Sequence, residues 1–119
     1  MIPVTAVGMS IYLCARPTDM RKAYDGLSGE VVSFMGQTPT SGHLFVFVNK
    51  RRDRMKILVW DRHGFWLLCK RLEAGRFQLP AYTDPSQHAV VLSTEQMLFI
   101  LEGIDLNSVR LRRRYRRVA

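Results

Sequence analysis

The stretch SGHLFVFVNKRRDRMKILVWDRHGFWLLCKRLEAGRF, residues 41–77, decides the fold. It holds three apolar runs, at residues 44–48, 55–60 and 65–72, each rich in Val, Ile, Phe, Leu or Trp. Each is too short for an ordinary helix, and the breaks between them are short and carry turn residues. This pattern predicts three antiparallel strands in a meander. The first hairpin tip is Asn49-Lys50-Arg51-Arg52-Asp53-Arg54 and the second is Asp61-Arg62-His63-Gly64. A third turn is expected at Glu73-Ala74-Gly75, with residues 76–79 as a short further strand.

Working outward, MSIYLC (9–14) reads as a first strand, broken by Arg16-Pro17-Thr18. Thr18 or Asp19 is placed to cap a helix running from about Met20 to Met35. Its apolar residues Met20, Ala23, Tyr24, Leu27, Val31, Phe34 and Met35 fall on one face, leaving Arg21, Lys22, Asp25 and Glu30 for solvent. Gly26 and Gly29 weaken such a helix by up to ~1 kcal/mol each relative to Ala. Residues 36–42 read as a loop and 80–90 as an irregular polar connection. Ser93 with Gln96 forms a capping-box pattern for a second helix, with Leu92 and Met97 as a hydrophobic staple and Gly103 at the C-cap. Apolar residues Met97, Leu98, Ile100, Leu101 and Ile104 give that helix a buried face.

The fold class is therefore α+β: a four- or five-stranded, mainly antiparallel sheet, a β-meander, packed with two helices. The strands have no clearly polar face, since Leu44, Val46 and Val48 alternate with Phe45 and Phe47. Such a sheet needs cover on both sides. With only two helices available, apolar surface is expected to remain for a homo-oligomer contact or another protein.

The chain has 119 residues and a net charge of +8, a size for one domain. The charge is uneven. Six arginines (Arg110, Arg112, Arg113, Arg114, Arg116 and Arg117) and no acid lie in residues 107–119, so this tail carries most of the excess. Residues 1–106 read as one domain and 107–119 as an arginine-rich tail expected to be flexible. The 14 arginines outnumber the lysines, and Arg grips phosphate with a planar fork. The tail together with Lys50, Arg51, Arg52 and Arg54 of the first tip is the candidate nucleic-acid-binding set, which Arg71 and Arg76 extend along the same sheet end. Successive tips of a meander alternate ends, so the 61–64 turn should lie at the opposite end. Trp60 and Trp66 beside it read as core or interface rather than as base-stacking platforms.

No catalytic set emerges. His43, His63 and His88 lack metal-ligand spacing, and Cys14 and Cys69 read as reduced core cysteines. No nucleotide-binding or hydrolase motif is present, and the acids read as caps, turn residues and solvated helix positions. Neither a cofactor nor a metal is expected, and the chain is not expected to be an enzyme. No stretch approaches the ~18–20 apolar residues of a membrane span, and the N-terminus lacks the features of a signal peptide, so a cytoplasmic location without membrane contact is expected.

The segments KILVWDRHGF and KRLEAGRF, with PTDMRKAYDGLSGEV upstream and STEQMLFILEGIDL downstream, resemble the TnpB accessory-protein family of insertion-sequence-66 transposons, the Orf2-like proteins. The resemblance runs from about Ile11 to Leu106 in order, with Ala23-Tyr24 where the family pattern suggests Gly and Phe. It is distinct from the longer RNA-guided nuclease that shares the TnpB name. The resemblance implies a non-catalytic accessory role in transposition, with element-end DNA and a separately encoded transposase as partners. A protein–protein scaffold without direct DNA binding and an RNA-binding module unrelated to mobile elements are the alternatives.

Overall fold

The computed structural model describes residues 8–81 and 84–103. The six tail arginines and Ile104 lie outside these residues. The elements run β1 (Ile11–Cys14), α1 (Tyr24–Ser33), a 3-10 turn (Pro39–Ser41), β2 (Leu44–Val48), β3 (Arg54–Asp61), β4 (Gly64–Arg71), β5 (Ala89–Leu92) and α2 (Thr94–Glu102). The sheet order is β4-β3-β2-β1-β5. The expected meander is β2-β3-β4, with Val46 opposite Ile57 and Leu58 opposite Leu67. β1 adds parallel to β2 through the α1 crossover, and β5 closes the far edge antiparallel to β1.

Alternation along the strands builds two cores. Ile11, Leu13, Leu44, Val46, Val48, Met55, Ile57 and Val59 face α2, which contributes Met97 and Ile100. Phe45, Phe47 and Leu58 face α1, which contributes Leu27 and Val31. Every residue of β2 is buried, as a strand covered on both faces requires. The chain supplies more cover than two helices. Phe77 is fully buried on the α2 side, with Leu72 and Leu79 packed nearby. Removing an aromatic side chain of this size from water contributes roughly 2–3 kcal/mol.

Residues 76–79 are therefore a packed crossing segment, not the fourth strand expected. The Phe77 N–H bonds to the Arg52 carbonyl in the first hairpin tip, and no ladder follows. The fifth strand comes instead from residues 89–92, inside and beyond the connection read as irregular.

α1 begins at Tyr24, later than expected, and neither Thr18 nor Asp19 caps it. The Thr18 N–H bonds to Val48 O, which holds this segment against the sheet end. Asp19 instead accepts from the Arg21 main chain and guanidinium. Glu30, expected in solvent, is buried. Arg16 grips its two oxygens at 3.0 Å each and Lys22 reaches it at 2.9 Å. Burial pushes the Glu30 carboxyl up, but the hydrogen bonds from Lys22 and Arg16 outweigh it and leave the group below its ordinary value. Gly26 has a role here. A Cβ there would meet the Lys22 stem at 3.1 Å, on its way to Glu30.

α2 starts and stops as its sequence predicts. Ser93 Oγ accepts from the Gln96 N–H, and Gln96 Oε1 accepts from the Ser93 N–H. Gly103 ends the helix in the left-handed conformation with φ 79°. Cys14 is buried, which raises its thiol pKa against opposing hydrogen bonds from the Arg16 backbone and Thr18. Cys69, expected in the core, is exposed on β4. Its strand lies at the sheet edge, where the residue has cover from neither helix.

Candidate nucleic-acid interface

Because β1 and β2 are parallel, their C-terminal ends emerge at the same sheet end as the β2–β3 tip. The sequence delivers a rigid loop there. Asn49 organises it: its side-chain oxygen accepts from the Asp53 and Arg54 N–H groups at 3.0 Å each, and its amide donates to Asp53 Oδ1 at 2.7 Å. The Arg52 N–H bonds to Asn49 O, and Arg52 adopts φ 59°. Two backbone bonds, Leu72 N–H to Asp53 O just past β4 and Phe77 N–H to Arg52 O from the crossing segment, tie the tip from outside. A short Asx-type side chain satisfying several loop amides is a common way to fix such a turn.

On this frame Lys50, Arg51, Arg52 and Arg54 are all exposed. Their head groups make no ion pair or hydrogen bond among the described residues. Asp53 lies among them. The Asn49 hydrogen bond, aided by Arg51 and Arg54, holds its carboxyl below the ordinary aspartate value. The tip is thus a fixed cluster of four cations around one carboxylate, with net positive charge left over for an anionic ligand.

Two recesses flank it. A crevice of about 110 Å³ is lined by Arg16, Lys50, Arg52 and Asn49 together with Cys14 and Leu79. A wider groove of about 510 Å³ is lined by Arg54, Lys56, Lys70 and Arg71, with Met20 and Glu73. The cations around these recesses are not equivalent. Arg71 lies at the sheet end expected of it, where the ladder sets it opposite Arg54, and is bonded to Glu73. Lys56 is held by the Met20 and Lys22 carbonyls. Arg16 is shared with Glu30 and lies over the Phe34 ring at 3.8 Å. Arg76 is exposed on the crossing segment.

The 61–64 turn falls at the opposite end of β3, as the meander requires, so its cation Arg62 does not join this patch. Trp66 beside that turn is 49% exposed, and its indole donates to Asp61 Oδ2 at 3.2 Å. Trp60 packs edge-on against Phe65. Reading the sequence missed Arg16 and Asn49. Asn directly after an apolar strand, four residues before Asp, was the available signal for Asn49. Arg16 had none, since its approach depends on the β1–β2 pairing.

No group of three or more His, Cys, Asp and Glu side chains among the described residues is placed to hold a metal ion. Several acids are engaged locally: Asp19 with Arg21, Glu30 with Arg16 and Lys22, Asp53 with Asn49, Asp61 with Trp66, Glu73 with Arg71 and Asp84 with Ser86. No helix of the described residues is long and apolar enough to cross a membrane.

The family model described as IS66 Orf2 like protein matches residues 9–111. Two proteins of Sinorhizobium fredii are similar along most of their length. The uncharacterized protein y4jC is 34% identical over 103 residues, covering 87% of this chain and 86% of its own. The uncharacterized protein y4hO is 30% identical over 105 residues, covering 88% of each. No solved structure matches.

Proposed function

This chain belongs to the IS66 Orf2-like family, and from that premise we propose that it serves transposition without catalysis, by holding DNA phosphates and by engaging the separately encoded transposase. The family gives the coarse role, accessory and transposition-associated. The observation that carries the finer reading is the tip at residues 49–54: four exposed cations without ion-pair partners among the described residues, on a loop fixed by the three Asn49 side-chain bonds. The backbone that carries these cations is already ordered, so meeting phosphate costs side-chain freedom but little loop ordering, which favours binding. The tail arginines Arg110, Arg112, Arg113, Arg114, Arg116 and Arg117 add the larger charge.

Contacts of this kind give affinity and salt dependence rather than base readout. The dispersed, locally engaged acids support a non-enzymatic role. A transposase that cuts DNA with metal ions gathers carboxylates around them.

The test is a gel shift with element-end DNA, random DNA and RNA, run beside a transposase pull-down. The proposal expects binding to duplex DNA and capture of the transposase. Capture without any DNA binding would favour the scaffold reading. RNA bound in preference to DNA, without capture, would favour the RNA module.

A further inference from the structure

Among the described residues β4 forms one edge of the sheet and pairs only with β3. The ladder fixes which of its backbone groups face outward. Gly64 pairs with Asp61 across a two-residue turn, and the Leu72 N–H bonds to Asp53 O, so even-numbered residues of this strand turn their N–H and C=O toward β3. The groups of Phe65, Leu67 and Cys69 therefore point out from the sheet, with no hydrogen-bond partner among the described residues. An eight-residue edge of this kind is a template for another strand. It also carries apolar side chains: Trp66 is 49% and Leu68 41% exposed, both on the α2 face opposite Val59 and Ile57.

We propose that β4 pairs antiparallel with β4 of a second copy of this chain, with Leu67 on the two-fold axis. Charge selects the direction. Lys70 and Arg71 end the strand, so a parallel partner would stack them on their own copies, at a cost. The antiparallel arrangement places them beside the partner's Gly64 and His63 instead. Hydrogen bonding and packing fit this register. With Leu67 opposite the partner's Leu67, Phe65 falls opposite the partner's Cys69, so outward-facing groups meet outward-facing groups. Trp66 then lies against the partner's Leu68 twice over, joining the exposed apolar side chains of the strand across the seam. Shifting the axis to Leu68 would set Trp66 against Lys70 and Phe65 against Arg71, leaving Leu68 against its own copy but losing both Trp66–Leu68 pairs. The two-fold closes, so the seam ends at a dimer and does not propagate. The tip at residues 49–54 is carried by the β2–β3 hairpin, one strand in from the seam and past its Phe65–Cys69 pairs, so this inference stands independently of DNA binding.

The test uses the full chain. Sedimentation from about 1 to 200 µM should show a species of twice the 13.8 kDa monomer that dissociates on dilution, with a roughly micromolar dissociation constant for a small seam. Cys69→Pro removes an outward N–H and leaves the β3 ladder intact. It should weaken the dimer at least about tenfold, or 1.4 kcal/mol, while circular dichroism stays unchanged. Leu68→Lys, an exposed position, should weaken it too. Leu67→Cys in a Cys69→Ser background should form an intermolecular disulfide under mild oxidation, since facing Cα atoms of a hydrogen-bonded pair are about 5.5 Å apart. The parent chain should not cross-link through Cys69, whose copies would lie about 14 Å apart along the strands. A monomer throughout this range overturns the proposal. So does a dimer that Cys69→Pro leaves intact or that Leu67→Cys fails to cross-link. A monomer whose Phe65, Leu67 and Cys69 amides resist hydrogen exchange also overturns it, and shows that the chain's own end covers the edge.

Discussion

Replacing Glu30 with Ala removes the one carboxylate that joins β1's exit, the approach to α1 and α1 itself. Three charge-assisted hydrogen bonds disappear, two to Arg16 and one to Lys22. Leaving a buried charge unpaired typically costs 3–5 kcal/mol. Here the abandoned partners are cations with side chains 48% and 39% exposed, so water recovers most of their solvation. What remains is the lost bonding, and the expected destabilisation is about 2 kcal/mol. Glu30→Gln keeps the shape and one acceptor and should cost about 1 kcal/mol. Urea denaturation checks this. With a slope near 1–3 kcal/mol/M for a small domain, the Ala midpoint should fall by about 1 M at pH 7. The folded carboxyl lies below its ordinary value, so its stabilisation is complete above the unfolded pKa and is lost as pH falls through the folded one. The gap between parent and Glu30→Ala should therefore shrink as pH falls below the ordinary glutamate range. A difference under about 0.5 kcal/mol at pH 7, or a gap that widens in acid, would refute the reasoning.

Gly29→Ala should stabilise the chain by about 0.5–1 kcal/mol, because a Cβ there meets nothing within 4 Å; Gly26→Ala should gain less, since its Cβ crowds Lys22, and thermal denaturation of both ranks them. Thiol labelling of the native chain at sub-micromolar concentration, where the proposed dimer is dissociated, should modify Cys69 quickly and Cys14 only on unfolding, and mass spectrometry of timed samples reads the order. Incubated with element-end DNA and Mg²⁺ or Mn²⁺, the protein should leave the DNA uncut. Specific cleavage abolished by mutating one carboxylate would overturn the non-catalytic reading.

The local features of the fold were legible in the sequence. Short β-rich runs bounded by turn residues gave β2, β3 and β4, and Ser93, Gln96 and Gly103 marked both ends of α2. The features missed depend on contacts between distant residues. β5 is four residues that become a strand only beside β1, and the parallel β1–β2 pair leaves no mark on either segment. Residues 76–79 alternate like a strand, yet Phe77 is fixed by the hairpin tip rather than by a ladder. Glu30 looks like a solvated helix position until Arg16 and Lys22 close over it. For the candidate site, the cations were visible as a run in the sequence. The order of the loop beneath them comes from Asn49, whose position four residues before Asp53 was the one sign of it in the sequence.

The most direct test of phosphate binding is DNA affinity over a series of salt concentrations. It compares the full chain, a truncation lacking residues 107–119, and the chain with Arg51, Arg52 and Arg54 neutralised together. If about four to six tail arginines reach phosphates, log affinity should fall with log salt at a slope of roughly −4 to −5. Truncation should flatten that slope and leave the described fold intact, because α2 has its own C-cap at Gly103. The loop variant should lose less, since one hairpin tip touches only about two or three phosphates. Unchanged affinity and slope after truncation would contradict the account for the tail, and a further null result for the loop variant would contradict it for the tip.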